Sequence, residues 1–226
     1  MSSSEFLSFV PIFSELPSNT LAMIEKIGTK KLYNKNDVVL KEEGTGTALF
    51  VIITGKVKVA RSSSDGREVI LTILSDSDFF GEMAILDGLT RSATVTAIED
   101  SELFLIEQND FLNLLREIPE ISISLLQELT KRLRAADAKI KALSLKDAEG
   151  KVATVILQLA DDIGKIKHGK VEIEKLPLQQ DFANMAGTSR ETISRTLHSF
   201  AKKGLIELDG SKLSILDYEK FKEKFI

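Results

Sequence analysis

The chain has no cysteine. That absence excludes disulfides, thiolate metal sites and a cysteine-held iron–sulfur cluster. Histidine is scarce: His168 and His198 are too few and too separated for a histidine-rich metal or haem site. No stretch of about eighteen apolar residues runs uninterrupted, so no membrane-spanning helix is expected. The start, Met1-Ser2-Ser3-Ser4-Glu5, lacks the basic region and apolar run of a signal peptide. A soluble cytoplasmic protein without metal or membrane partner is the expectation.

What is present is ordinary in bulk and uneven in placement. At 226 residues, two domains are the natural prior, each large enough to bury a core. The net charge is −4; residues 146–226 hold 14 basic and 13 acidic residues, a balance of +1, which leaves −5 for residues 1–145. So modest a difference does not argue for nucleic acid, and any such reading rests on local placement.

Residues 5–27 show helical spacing (Phe6, Val10, Phe13, Leu16, then Leu21, Ile24, Ile27) broken by Pro11 and Pro17. From Lys31 the period changes to short β-branched or apolar runs: Tyr33, Val38 to Leu40, Leu49 to Ile53, Val57 to Val59, Val69 to Leu74, Ala93 to Ile98 and Leu103 to Ile106. Turns separate them at Glu43 to Gly46, Thr54-Gly55, Ser62 to Gly66 and Glu99-Asp100, with Gly44, Gly55 and Gly66 as corners. Such strands argue for an antiparallel barrel or roll. A helical segment capped by Asn109 follows to about Leu143, with a break at Pro119. In it Leu126, Leu129, Leu133, Ala136, Ile140 and Leu143 step alternately by three and four residues. That heptad seam predicts a parallel homodimer, the plain alternative being a helix packed on its own roll. Residues 144–147 interrupt the seam as a hinge, and Asp147 caps a helix holding Val152, Val155, Ile156 and Leu159. A small hairpin then turns at His168-Gly169.

Two stretches carry chemistry. In the first, Phe79 to Ala97, Gly81 permits a close backbone approach, a short helix begins at Glu82, and Arg91 precedes Ser92. Amides at a first helical turn favour an anion, and a fork-shaped arginine with a hydroxyl neighbour grips phosphate oxygens. Glu82 repels phosphate but suits a ribose 2′-hydroxyl. Taken singly, Gly-Glu and Arg-Ser are common pairs that fit a surface turn and a strand start; together they suit a ribose phosphate. In the second, Gln179 to Met185 reads as a helix, Ala186-Gly187-Thr188 as a tight turn with positive φ, and Ser189 to Lys203 as a helix capped by Ser189. Ala183, Ile193, Leu197 and Phe200 supply the packing of a helix-turn-helix. Gly204 ends the second helix, and Leu205 to Leu208 with Leu213 to Ile215 flank a hairpin turn at Asp209-Gly210, the wing. Arg190, Glu191 and Arg195 can read base edges, while Thr188, Ser189, Thr192 and Ser194 can donate to phosphates. The plain alternative is a solvated helix with these charges paired to each other.

The first stretch resembles the phosphate-binding cassette of cyclic-nucleotide-binding domains. With Phe80-Gly81-Glu82, Arg91-Ser92-Ala93, the long helix and Gly187-Thr188-Ser189-Arg190-Glu191-Thr192-Ile193-Ser194-Arg195, nearly the whole chain resembles transcription regulators of the cyclic-AMP receptor protein and fumarate-nitrate regulator (Crp/Fnr) family. The resemblance implies an α+β fold: a jelly-roll-like antiparallel β-roll over 1–108, a dimerisation helix and hinge over 109–146, and a winged helix-turn-helix over 147–226. It implies that Glu82 holds a ribose, and that Arg91, Ser92 and the amides of Gly81, Met83 and Ala84 hold a cyclic phosphate. Arg190, Glu191 and Arg195 match the family's base-reading trio, implying double-stranded DNA with TGTGA-like half-sites in a palindrome and RNA polymerase as a further partner. The sequence departs from the family where two hydroxyl residues meet the base, because those places hold Ala136 and Asp137. Asp137 can accept from adenine or guanine, so cyclic AMP is the first expectation and cyclic GMP the second. The lack of cysteine removes the iron–sulfur branch of the family, and the histidines are misplaced for its haem branch. A regulator whose roll only dimerises, or one gated by another nucleotide messenger, stays open. An enzyme acting on nucleotides has little support, since the cassette offers no metal carboxylate cluster, no nucleophile beside a histidine and no P-loop.

Overall fold

A computed structural model describes residues 5–62, 68–145, 147–167 and 170–225, with backbone alone over 141–145. The corner at Gly66, the turn at His168-Gly169, the side chain of the seam position Leu143 and part of the hinge, Lys146, lie outside what is described. By internal contacts the chain divides into two units. One comprises Met1–Arg61 with Thr72–Arg134; the other comprises Ser62–Leu71 with Ala135–Ile226.

The first unit opens with a 3-10 turn over Glu5–Phe9 and helix α1 (Ser18–Ile27), which starts after Pro17. Two four-stranded sheets follow. One orders β1 (Thr29–Tyr33), β8 (Ser101–Glu107), β3 (Ala48–Thr54) and β6 (Phe79–Phe80); the other orders β2 (Val38–Leu40), β7 (Thr94–Ala97), β4 (Val57–Ser62) and β5 (Glu68–Leu74). All the pairings described are antiparallel. β3 shows why the layers form: Leu49 and Val51 enter a core shared with α1, α3 (Gln108–Glu117) and the start of α4 (Pro119–Leu145), while Phe50 and Ile52 enter the core that also holds Val57, Val95 and Ala97. A strand buried on both faces reads as a continuous apolar run, which Leu49 to Ile53 is.

Several local expectations are corrected. The cap of α3 is Glu107, one place before the helix, because the chain turns at the end of β8, and Asn109 lies inside. The left-handed residue at the Gly44 corner is Glu43 (φ 65°). Leu129 packs on the helix-side core, so the solvent stripe of α4 is Ile123, Leu126, Leu133 and Ile140, each more than half exposed.

In the second unit Asp147 caps α5 (Ala148–Ile163), its carboxylate accepting from the Gly150 amide at 2.8 Å. The expected hairpins, β9 (Lys165–Lys167) with β10 (Lys170–Ile173) and β11 (Ile206–Asp209) with β12 (Lys212–Ile215), merge through β10–β12 pairing into one sheet. It packs with α5, α6 (Gln179–Ala186) and α7 (Arg190–Lys202), which bury Val152, Ile156, Phe182, Ile193 and Phe200. A last helix, α8 (Tyr218–Phe225), was not read from the sequence. Phe221 meets Phe200 edge-on, Phe225 lies tilted against it, and the Tyr218 hydroxyl donates to Asp161 of α5 at 2.6 Å.

Burial, then the bond to Asp161, pushes the Tyr218 hydroxyl up to about 12. A folded value above the unfolded one means the contribution is complete below the unfolded value of about 10 and is lost as pH rises toward 12. Tyr218→Phe should therefore cost about 1 kcal/mol, discounted for exposure, and flatten that alkaline loss in a pH series of denaturant melts. Among the described residues, no helix is long and apolar enough to cross a membrane.

Candidate functional site

Phe79 and Phe80 of β6 point to opposite cores, Phe80 stacking on Phe50 with centroids 5.2 Å apart, and so anchor the chain where it leaves the sheet. Gly81 then turns it at φ 88° into α2 (Glu82–Asp87), which ends at Gly88 with φ 71°. The glycine is required twice: by its left-handed φ, and because a Cβ there would sit 2.8 Å from Arg91 Nη1 and 3.0 Å from the Ala48 carbonyl oxygen. The close approach that Gly81 permits is that of the guanidinium of Arg91.

Arg91 is buried, 4% exposed, and fixed from four directions. Its Nη1 donates to the Gly81 carbonyl at 2.7 Å and its Nη2 to the Ala48 carbonyl at 2.9 Å. Its backbone amide donates to Gly44 O at 2.8 Å, and its carbonyl accepts from the Glu43 amide at 2.9 Å. The corner 43–44 thus clasps the segment before β7 that carries the arginine. Nε is buried with no partner. Burial pulls the guanidinium below its ordinary range, opposed by the negative Glu82 nearby; starting so high, it stays charged. A buried, charged fork whose Nε has no acceptor is a site short of one, and an anionic oxygen would supply it.

Glu82 is also buried, 4% exposed, and its Oε1 accepts from Arg132 Nη1 of α4 at 3.2 Å. Arg132 donates through Nη2 to the Phe79 carbonyl at 2.8 Å and stacks over the Phe79 ring at 4.3 Å. Beneath it, burial pushes the Asp78 carboxyl up, opposed first by the Ser75 amide it accepts from and then by Arg132. Arg132 was missed in the sequence because its partner lies fifty positions away. Replacing it with methionine keeps the stem, removes the ion pair and leaves Glu82 free to turn; affinity for the cyclic nucleotide that the resemblance implies should fall about tenfold by calorimetry, the loss of one charge-assisted bond.

Of the other expected residues, Ala84 is buried beneath Gly46, Met83 is half exposed, and the exposed Ser92 hydroxyl lies 3.6 Å from the Met83 sulfur. The structure thus gathers Gly81, Glu82, Met83, Ala84, Arg91 and Ser92 at one cassette. Ala136 and Asp137 stand at exposed positions of α4 in the second unit.

The second unit carries the other site. α6 ends at Gly187, φ 57°, and Ser189 caps α7 by accepting from the Thr192 amide at 3.2 Å. The same two hydroxyls lie 3.1 Å apart, so Ser189 and Thr192 serve the helix start as well as any phosphate. Ala183, Ile193, Leu197 and Phe200 are buried as expected. Thr188 is half-buried at the turn, and Arg190, Glu191 and Arg195 are exposed on α7. With Ser194 and Gln179 they line an open concavity of about 590 Å3. Among the described residues the three charged side chains engage no other side chain, against the alternative of mutual pairing. Gln179 was unassigned by the sequence, its place on this wall being set by the crossing of α6 and α7. His198 bonds back to the Ser194 carbonyl at 2.8 Å.

Both sites match known families. Residues 30–117 fit the model of the cyclic nucleotide-binding domain, and residues 150–224 that of the Crp-like helix-turn-helix domain. The chain is 33% identical over 216 residues to the CRP-like cAMP-activated global transcriptional regulator of Mycobacterium tuberculosis, covering 96% of each. It is 32% identical over 205 residues to the cyclic AMP receptor protein of Thermus thermophilus, covering 91% of this chain and 92% of that one. Among solved structures it is similar to a mutant CooA from Carboxydothermus hydrogenoformans, with a TM-score of 0.75, 26% identity and 90% of each chain covered. On these matches, and on the cassette and helix-turn-helix just described, the chain belongs to the Crp/Fnr family of DNA-binding transcription regulators.

Proposed function

We propose that this chain is a homodimeric regulator gated by a cyclic nucleotide, cyclic AMP first and cyclic GMP second, that binds a palindrome of TGTGA-like half-sites. The observation that carries the reading is Arg91: buried, charged, positioned by four carbonyl or amide contacts, and left with Nε unanswered. A cyclic phosphate would complete it, with Ser92 as a hydroxyl donor and the amides of Met83 and Ala84 at the start of α2. Glu82 would take the ribose 2′-hydroxyl while Arg132 holds it in place. Relatives in Mycobacterium tuberculosis and Thermus thermophilus named for cyclic AMP favour that nucleotide.

For DNA, the proposed readers are Arg190, Glu191 and Arg195, with Thr188, Ser189, Thr192 and Ser194 placing the helix on the backbone. Dimerisation through the stripe Ile123, Leu126, Leu133 and Ile140 would present two such helices about 34 Å apart, one turn of duplex. RNA polymerase is the further partner such a regulator would meet. Activity is regulatory and involves no catalytic step.

A second reading, a ligand-independent regulator or one answering another nucleotide messenger, draws on Ala136, whose side chain cannot hydrogen-bond to a base. Isothermal calorimetry separates the two. Saturable binding of cyclic AMP or cyclic GMP, abolished in Arg91→Ala, is expected; heat for neither nucleotide would leave the second reading standing.

A further inference from the structure

β5 is the outer strand of its sheet, so among the described residues one side of its backbone has no strand partner. Two side chains supply donors there. Lys139 of α4 donates through Nζ to the carbonyls of Ile70 at 3.0 Å and Leu71 at 3.2 Å. Gln158 of α5 reaches the Leu71 carbonyl at 3.5 Å and Asp162 at 3.4 Å. Ile70, Leu71, Lys139 and Gln158 all belong to the second unit.

This arrangement comes at the cost of hydration. Burial pulls the Lys139 ammonium below the ordinary lysine range, with only Asp162 opposing. A folded value below the unfolded one means that the charged form is disfavoured by folding, and stability rises as pH climbs through the folded value. The ammonium gives up hydration to hold two carbonyls in a fixed geometry.

That geometry sits where a signal has to pass. β5 pairs with β4, β4 with β7, and β7 begins two residues after Ser92. On the other side, α5 is tied to the DNA-reading helix, since Glu149 accepts from Lys203 at 2.9 Å and from Ser199 at 3.2 Å. We propose that Lys139, with Gln158, is a positioning residue that clamps the open edge of β5 to α4 and α5, and that this clamp sets how strongly nucleotide occupancy changes DNA affinity. The proposal rests on the nucleotide-gated reading above.

The test uses the full chain and a duplex carrying a TGTGA palindrome, with affinity measured by fluorescence anisotropy without nucleotide, with saturating cyclic AMP and with saturating cyclic GMP. Lys139→Met should reduce the nucleotide-dependent gain by about fivefold or more, with Lys139→Arg restoring most of it and Gln158→Leu giving a smaller loss. The melting temperature of Lys139→Met should change little, because the desolvation of the ammonium that is removed offsets the carbonyl bonds that are lost. A full gain in Lys139→Met would overturn the proposal, as would a reduced gain accompanied by a lower melting temperature and no rescue by arginine. If the wild type gains nothing from either nucleotide, the gated reading fails and this proposal fails with it.

Discussion

Arg91→Ala should weaken cyclic-nucleotide binding by about 100-fold or more and abolish nucleotide-dependent DNA binding with it. A hydrogen bond to a charged group contributes about 1.5–3 kcal/mol, two are expected between the fork and a phosphate, and each 1.4 kcal/mol is a factor of ten. The same substitution removes the donors that satisfy the Gly81 and Ala48 carbonyls. Each carbonyl left dry costs about 1–3 kcal/mol, so the first unit should also melt earlier. Arg91→Lys distinguishes the two effects: a lysine keeps the charge but cannot bridge two carbonyls and a phosphate together, so its affinity should fall between wild type and alanine. Calorimetry at a temperature where circular dichroism shows both variants folded is the check. An alanine variant that binds as tightly as the wild type would remove Arg91 from the site.

Leu133→Glu should leave each protomer folded and abolish specific DNA binding. Leu133 is 63% exposed, one heptad from Leu126 at 65% and Ile140 at 63%, so its side chain contributes little to its own unit. In a two-fold seam each substitution is felt twice. Burying a leucine against a partner is worth about 1.5–3 kcal/mol, so the pair of substitutions removes about 3–6 kcal/mol and adds two apposed carboxylates. Light scattering at micromolar concentration should then report a monomer. Affinity for the palindrome should fall toward that for a single half-site, because one recognition helix reads only half of it. A variant that stays dimeric would move the interface away from this stripe.

Both sites were legible because their signals are local. Gly187 with the Ser189 cap, and Gly81 with Arg91, state backbone conformations and donors within a few residues of one another, and such short-range chemistry survives folding unchanged. The β-roll was legible because a strand buried on both faces, such as Leu49 to Ile53, has little other use. What escaped depended on contacts made far along the chain. β6 is only two residues long, and nothing adjacent to Phe79 and Phe80 in the chain shows that they enter opposite cores. The pairing of β10 with β12 joins hairpins some forty positions apart, and hairpin signals do not say which neighbours they adopt. Arg132 looked like one more charge off the seam, and only Glu82, brought to it by the fold, reveals its task. α8 left a usable signal in the Asp217 carboxylate accepting from the Lys220 amide and in the spacing of Tyr218, Phe221 and Phe225. Leu129 shows the limit of periodicity, since a leucine that steps in heptad register can still turn inward.

The most direct test of gating is the wild-type protein's affinity for a TGTGA palindrome measured without nucleotide, with cyclic AMP and with cyclic GMP, at one salt concentration. At least one nucleotide should tighten binding tenfold or more, which corresponds to about 1.4 kcal/mol of coupling between the two sites. Equal affinities in all three conditions would contradict it.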